Sequence, residues 1–158
     1  GSIEVGGAPG EGAVFRVRLT LERGEAPAPG GPQPVGPGRS LTLLLVDDNP
    51  INQTVIEAAL ASLGHEVRVA GDGPSAVEAV RAGGLDAVLL DVHMPEMDGP
   101  ATLRAIRGLD GRPGRVPVLV LTADVSEDLP ARFEDLDVRG YLTKPVEHDE
   151  LRAALASL

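Results

Sequence analysis

Residues 41–49 read Leu-Thr-Leu-Leu-Leu-Val-Asp-Asp-Asn, an almost continuous apolar run that ends in two adjacent acids. A short apolar run without polar alternation is typical of a parallel strand that is covered on both faces. The next residue is Pro50. Asn49 before it predicts a helix start, because an asparagine side chain can cap the first turn and proline is accommodated there. The stretch therefore indicates a strand that leads directly into a helix.

The pattern of a strand followed by a helix occurs five times from Ser40 to the end of the chain. The other predicted strands cover residues 67–70, 87–90, 116–121 and the neighbourhood of Tyr141. The predicted helices cover residues 50–63, 74–81, 100–107, 125–136 and 149–158. Right-handed crossovers between parallel strands place helices on both faces of the sheet. We therefore predict an α/β fold with a doubly wound, five-stranded parallel sheet.

For two of the predicted helices, the sequence also predicts which residues are buried or how regular the helix is. In the first helix, apolar residues spaced four apart form the stripe that we expect to face the sheet, namely Ile51, Val55, Ala59 and Leu63. The fourth helix combines Pro130 with several acids soon after it, and proline is tolerated only in the first turn of a helix. We expect the fourth helix to be short, displaced or mobile.

The composition limits the kinds of function that this chain can have. Only 2 Phe, 1 Tyr and no Trp occur among its 158 residues, so the core must be built from aliphatic side chains. The absence of Cys excludes a disulfide framework and a thiolate metal site. The net charge of −10 disfavours direct binding to a nucleic-acid backbone. No apolar run is long enough to span a bilayer, and we expect a cytoplasmic location without membrane contact from these residues.

The residues before the α/β pattern divide into two parts. Residues 1–23 contain a glycine-rich stretch and then an alternation of apolar and polar side chains over residues 15–21, which predicts a half-buried strand. Residues 24–39 hold 5 Pro and 5 Gly. Such a segment has little to bury and should form a flexible linker. The α/β domain then occupies residues 40–158.

Several chemically active side chains directly follow the predicted strands, namely Asp47, Asp48, Asp91, Thr122 and Lys144. Because ligands of open α/β sheets bind outside the carboxyl ends of the strands, we expect these side chains to meet. Three neighbouring carboxylates need a cation, and Mg²⁺ fits because it takes few protein oxygens and keeps several waters. The hydroxyl and the ammonium group remain to bind anionic oxygens. This set indicates the transfer of a phosphoryl group to an aspartate.

Four segments, in order and at the expected spacing, resemble the signature motifs of two-component receiver domains. They read Leu-Val-Asp-Asp-Asn at 45–49, Asp-Val-His-Met-Pro-Glu-Met-Asp-Gly at 91–99, Leu-Thr-Ala-Asp at 121–124 and Gly-Tyr-Leu-Thr-Lys-Pro at 140–145. The resemblance covers residues 41–158. It implies the flavodoxin-like strand order 2-1-3-4-5 and a magnesium-dependent transfer of a phosphoryl group from phosphohistidine to Asp91.

The resemblance also implies roles for the residues that bind the cation and the phosphoryl group. Asp91 is the phosphoacceptor and a magnesium ligand. Asp48 ligates magnesium directly, Asp47 does so through water, and the backbone carbonyl of His93 completes the protein ligands, with manganese as the alternative cation. Lys144 pairs with the phosphoryl oxygens.

A second set of residues is implied to respond to the phosphoryl group. Thr122 hydrogen-bonds a phosphoryl oxygen, and Tyr141 turns inward as Thr122 shifts, which alters the surface formed by the last strand and helices. A static packing role is the alternative for Tyr141. His93 and Asp124 flank the site and tune the lifetime of the phosphoryl group.

The first residues of the chain carry a further, shorter resemblance. Ser2-Ile-Glu-Val5, the Gly-Glu-Gly stretch at 10–12 and the alternating strand resemble the last hairpin of a histidine-kinase ATP-binding domain. The earlier nucleotide-binding boxes are missing, so this piece does not predict ATP binding. A receiver behind such a hairpin and a linker implies a hybrid histidine kinase. The implied partner is then a histidine-kinase dimerisation domain or a histidine-containing phosphotransfer protein.

Three other functions compete with this interpretation. A stand-alone response regulator and a weakly phosphorylated interaction module would share the same motifs. A phosphatase of the haloacid dehalogenase type also uses an aspartate nucleophile and magnesium on a doubly wound sheet. Such phosphatases carry an Asp-x-Asp pattern after the first strand, whereas this chain has the adjacent pair Asp47 and Asp48 and no cap insertion. The fragment itself is expected to catalyse its own phosphorylation and dephosphorylation.

Overall fold

The computed structural model describes residues 2–6, 14–18, 39–123 and 130–158. The chain divides into two compact units, Gly1–Gly31 and Pro32–Leu158. In the first unit, β1 (Ser2–Gly6) pairs with β2 (Val14–Arg18) in an antiparallel hairpin. The strand predicted over residues 15–21 is present in its first part, and residues 19–21 lie outside the described residues. The predicted linker lies outside them as well, except for Arg39.

The second unit alternates strands and helices. Its strands are β3 (Thr42–Val46), β4 (Glu66–Ala70), β5 (Ala87–Asp91), β6 (Val118–Thr122) and β7 (Gly140–Thr143). Its α-helices are α1 (Pro50–Ser62), α2 (Gly73–Ala82), α3 (Gly99–Arg107) and α4 (His148–Ala156). All neighbouring strands are parallel and lie in the order β4-β3-β5-β6-β7. Counted within this unit, the order is 2-1-3-4-5, which confirms the predicted fold class.

The core consists of two apolar layers, one on each face of the sheet. Alternate residues of the central strands enter opposite layers, so that Leu44 and Val46 join one layer while Leu43 and Leu45 join the other. One layer includes residues of α2 and α3, and the other includes residues of α1 and α4. Burial on both faces explains why these strands lack a polar alternation. The core is aliphatic as predicted, apart from the buried ring of Phe133.

The prediction that four apolar residues of α1 face the sheet was wrong for two of them. Ile51 and Val55 are 71% and 62% exposed, and the buried residues of the helix are Ile56 and Leu60. The rotation of the helix has a polar cause. Asn52 lies four residues before Ile56, on the face that turns inward, and its amide donates to the carboxylate of Asp47. Residues four apart share a face, so this contact brings Ile56 and Leu60 onto the sheet and leaves Ile51 and Val55 outside.

The fourth crossover contains a 3-10 turn, Pro130–Phe133, in its described part. Residues 124–129, which include the first half of the predicted helix, lie outside the described residues. After the turn, Leu136 N–H donates to Phe133 O at 2.8 Å, and the chain enters β7 without a further helix. The described part agrees with the expectation of a short helix. No helix in the described ranges combines the length and the apolar character that crossing a bilayer would need.

Candidate functional site

Three carboxylates meet at the carboxyl edge of the sheet. Asp47 and Asp48 follow β3, and Asp91 ends β5, which is the neighbouring strand. One carboxylate oxygen from each residue lies within 4.8 Å of the others. Asp47 is 0% and Asp91 5% exposed, whereas Asp48 is exposed. The parallel arrangement of β3 and β5 is therefore sufficient to assemble the predicted acidic cluster.

Lys144 supplies the positive charge within this cluster. Its Nζ lies 2.6 Å from Asp47 Oδ2 and 2.8 Å from Asp91 Oδ2, so that one ammonium group joins two carboxylates. The backbone N–H of Lys144 donates to Thr122 O at 2.7 Å, which holds the end of β7 beside β6. The Lys144–Pro145 peptide bond is cis. Lys144 therefore lies beside the two buried acids, as predicted.

The first turns of α1 hold Asp47 through donors that the sequence analysis did not identify. The backbone N–H of Asn49 donates to Asp47 Oδ1 at 2.9 Å. The Asn52 amide lies 3.3 Å from both carboxylate oxygens, and the Gln53 amide donates to the Asp47 carbonyl at 2.6 Å. The sequence feature that could have predicted these donors is the pair of amide side chains at positions 52 and 53. They follow Asp47, the acid after the first strand of the sheet, by five and six positions. Buried polar groups need such partners.

The loop after β5 folds back against the predicted phosphoacceptor. The backbone N–H of His93 lies 3.4 Å from Asp91 Oδ1, which places the His93 backbone beside the carboxylate. Gly99 N–H donates to Val92 O at 2.9 Å. A Cβ atom added to Gly99 would lie 2.6 Å from Asp91 O, which leaves no room for a side chain there. Asp98 caps α3 by accepting from Ala101 N–H at 2.9 Å.

The predicted switch residues lie on β6, which neighbours the strand of Asp91, and on β7, the strand beyond it. Thr122 is buried at the end of β6 and stands opposite Thr143 of β7. Tyr141 is 41% exposed, and its ring meets the ring of Phe133 edge-on with a centroid distance of 6.0 Å. Partial burial raises the pKa of the Tyr141 hydroxyl above its usual value. Asp124 lies outside the described residues.

The donor set of this edge fits magnesium. Magnesium binds carboxylate and carbonyl oxygens and takes only a few of them from protein. Three carboxylates with converging oxygens face a single ammonium group here. A divalent cation would relieve this imbalance of charge, because like charges at close range repel each other.

The comparison with protein families decides the class of this chain. The model of the response regulator receiver domain matches residues 43–156. This chain belongs to the response regulator receiver family. The match covers the five strands of the parallel sheet, except for Thr42 at the start of β3, and it includes the three acids, Thr122 and Lys144.

Similar proteins include both kinases and regulators. Sensor histidine kinase AruS of Pseudomonas aeruginosa is 33% identical over 159 residues, which cover 100% of this chain and 16% of that protein. The transcriptional regulatory protein ZraR of Escherichia coli is 38% identical over 116 residues, 73% of this chain and 26% of that protein. The receiver domain thus spans a small part of the length of these relatives.

One solved structure with a similar fold contains a metal ion. The receiver domain of a sensor histidine kinase from Pseudomonas aeruginosa has a TM-score of 0.68 and 38% sequence identity, and the match covers 74% of this chain and 95% of that one. That structure has a magnesium ion coordinated in its active site cleft. The similarity agrees with the magnesium donor set of this receiver domain.

Proposed function

We propose that this receiver domain accepts a phosphoryl group from phosphohistidine on Asp91, with magnesium as its cation. One observation carries the proposal. Asp91 is a buried carboxylate that shares one ammonium group with a second buried acid, at an edge where a third acid converges. A buried acid with a counter-charge and a metal donor set beside it is arranged for nucleophilic attack on a phosphoryl group.

The chemical step follows from these residues. An Asp91 carboxylate oxygen attacks phosphorus, and the phosphorus–nitrogen bond of phosphohistidine breaks. Its electron pair stays on the imidazole nitrogen, and a new phosphorus–oxygen bond forms an acyl phosphate. Lys144, already 2.8 Å from Asp91, would pair with an oxygen of the transferred group. Attack by water would later return the carboxylate and release inorganic phosphate.

The other site residues divide into a metal set and a readout set. Asp48, the His93 carbonyl and, through water, Asp47 would hold magnesium, which would neutralise charge on the phosphoryl oxygens. Thr122 would hydrogen-bond the transferred group from the neighbouring strand. Tyr141 would then respond, because it lies on β7 three positions before Lys144, and its ring already meets the ring of Phe133 edge-on.

The surface beside the site supports a helical protein partner. Ile51 and Val55 are exposed on α1, and a shallow groove of about 220 Å³ begins at Val55 and reaches Lys144. Apolar residues dominate its lining, namely Val55, Ile56, Ala59, Pro145, Val146 and Leu151. Exposed apolar side chains at the entrance of a charged site suit an amphipathic helix that carries the donor histidine. The proposed partner is a histidine-kinase dimerisation domain or a phosphotransfer protein.

The parent protein is proposed to be a hybrid histidine kinase in the cytoplasm. The alignment with sensor histidine kinase AruS covers the whole of this chain, including residues before the receiver match. The hairpin of β1 and β2 agrees with the predicted remnant of an ATP-binding domain. The cytoplasm, where a phosphohistidine donor would be made from ATP, is the proposed location.

The test is phosphorylation by acetyl phosphate with magnesium chloride, followed by intact-mass measurement. We expect one phosphoryl adduct, which is lost in Asp91→Asn and after chelation of the metal. Asp110→Asn, a change of an exposed acid outside the site, should keep the adduct. An adduct that persists in Asp91→Asn, or none in the unaltered chain with magnesium, would refute the proposal.

The proposed partner surface is tested in the same assay with a second donor. Val55→Ser should leave the reaction with acetyl phosphate unchanged, because the side chain lies outside the acidic cluster. Transfer from a phosphorylated histidine-kinase dimerisation domain should slow, because that donor has to dock. Equal rates from the protein donor would exclude this face of α1 as the docking surface.

A further inference from the structure

The contact between the Asp47 carboxylate and Lys144 would change during the proposed reaction. Its side chain is 0% exposed, so bulk solvent does not reach it. Lys144 Nζ donates to Asp47 and also pairs with Asp91. When Asp91 carries a phosphoryl group, additional anionic oxygens compete for the same ammonium group. Asp47 then loses part of the interaction with Lys144.

Asn52 is placed to compensate for this loss. Among the described residues, it is the one side chain besides Lys144 that donates to the Asp47 carboxylate. Its amide nitrogen lies 3.3 Å from each oxygen, so that it can strengthen its bond to either with a small shift. The cost of a buried acceptor without a donor is high, particularly for a charged group.

We propose that Asn52 is a positioning residue that keeps Asp47 hydrogen-bonded while Lys144 turns to the phosphoryl group. This inference rests on the proposed function of Asp91. Asn52 acts through Asp47 and Lys144 and need not touch the phosphoryl group. Gln53 differs from Asn52 because its amide donates to the main-chain carbonyl of Asp47, which is unaffected by a movement of Lys144.

The chain offers a direct spectroscopic reporter for this inference. Lys144 is its only lysine, so ¹³C-lysine labelling yields a single Cε signal. Beryllofluoride, prepared from beryllium chloride and sodium fluoride, is added with magnesium as a stand-in for the phosphoryl group. The Cε signal then reports the movement of Lys144, and its titration gives the affinity for beryllofluoride.

The variants are Asn52→Ala and Asn52→Leu, with Thr54→Ala, at an exposed position of the same helix, as the matched control. Alanine favours the helix, and leucine keeps the side-chain volume, so that one of the two reports even if the other folds poorly. We expect both Asn52 variants to bind beryllofluoride about tenfold more weakly, equivalent to about 1.4 kcal/mol. Their Cε signal in the absence of beryllofluoride should stay near that of the unaltered chain, and Thr54→Ala should bind beryllofluoride within about twofold of the unaltered chain.

Two results would overturn the inference in distinguishable ways. If the unaltered chain shows the movement of Lys144 and both folded Asn52 variants bind beryllofluoride as tightly, Asn52 has no positioning role and the proposed function stands. If Lys144 does not move in the unaltered chain with beryllofluoride and magnesium, the inference about Asn52 fails, and the acetyl phosphate adduct on Asp91 decides separately whether the proposed function stands.

Discussion

At the scale of single residues, the site depends on how closely the backbone packs around Asp91. Gly99 begins α3, and its backbone N–H donates to Val92 O. The Asp91 carbonyl oxygen would lie 2.6 Å from a Cβ atom at position 99, and Val92 Cα would lie 2.9 Å from it. A glycine is therefore required at this position by the close approach of two backbone segments.

Gly99→Ala is expected to lower the free energy of unfolding by about 1–3 kcal/mol, because the added methyl group forces the two segments apart. Chemical denaturation followed by circular dichroism measures the change. Gly71→Ala is the control, since the nearest atom to its added Cβ would be Gln53 Nε2 at 3.8 Å. A loss of stability as small as that of the control would contradict the packing argument.

At the scale of elements, the end of α3 is joined to the chain around it by one arginine. Arg107 donates from Nη1 to Gly114 O at 3.0 Å and to Val116 O at 2.9 Å, and from Nη2 to Asp137 O at 2.5 Å. Burial lowers the pKa of the Arg107 guanidinium, and the charge of Asp137 opposes this effect. The arginine thus connects α3 to the loop before β6 and to the crossover before β7.

Arg107→Lys should cost about 2 kcal/mol of unfolding free energy, because a single ammonium group cannot serve carbonyls on two segments and leaves some of them without a donor. The measurement is urea denaturation. Arg104→Lys, at an exposed position of the same helix, should change the stability by less than about 0.5 kcal/mol. Equal effects of the two substitutions would show that the guanidinium geometry is unimportant.

At the scale of the whole molecule, the parallel sheet and its two apolar layers form a unit of their own. The buried residues of both layers all lie between Leu43 and Leu155. The hairpin of β1 and β2 belongs to the other compact unit. A domain with its own complete core is expected to fold without its neighbour.

A shortened chain of residues 39–158 should therefore have the same urea midpoint of unfolding as the receiver domain has in the complete chain. It should also take up a phosphoryl group from acetyl phosphate at an unchanged rate, because every proposed site residue is retained. A clearly lower midpoint or a slower reaction of the shortened chain would show that residues 1–38 contribute to the receiver domain.

Patterns along the chain were enough to predict the sheet and the acids at its edge. Apolar runs without alternation marked β3, β5 and β6, because strands covered on both faces need no polar side. Asp47 and Asp91 could be placed together because parallel neighbours end at the same edge. The linker boundaries and the individual roles of the site residues stay predictions, as does manganese as an alternative cation.

The rotation of α1 and the donors around Asp47 could not be predicted from local patterns. Two different apolar stripes of α1 could have faced the sheet. Ile56 is buried and Val55 is exposed because Asn52 contacts Asp47, and the spacing of apolar residues does not predict that contact. Lys144 reaches Asp47 across 97 positions of sequence. Such contacts depend on where side chains meet in space, and local patterns describe only the neighbours within a few residues.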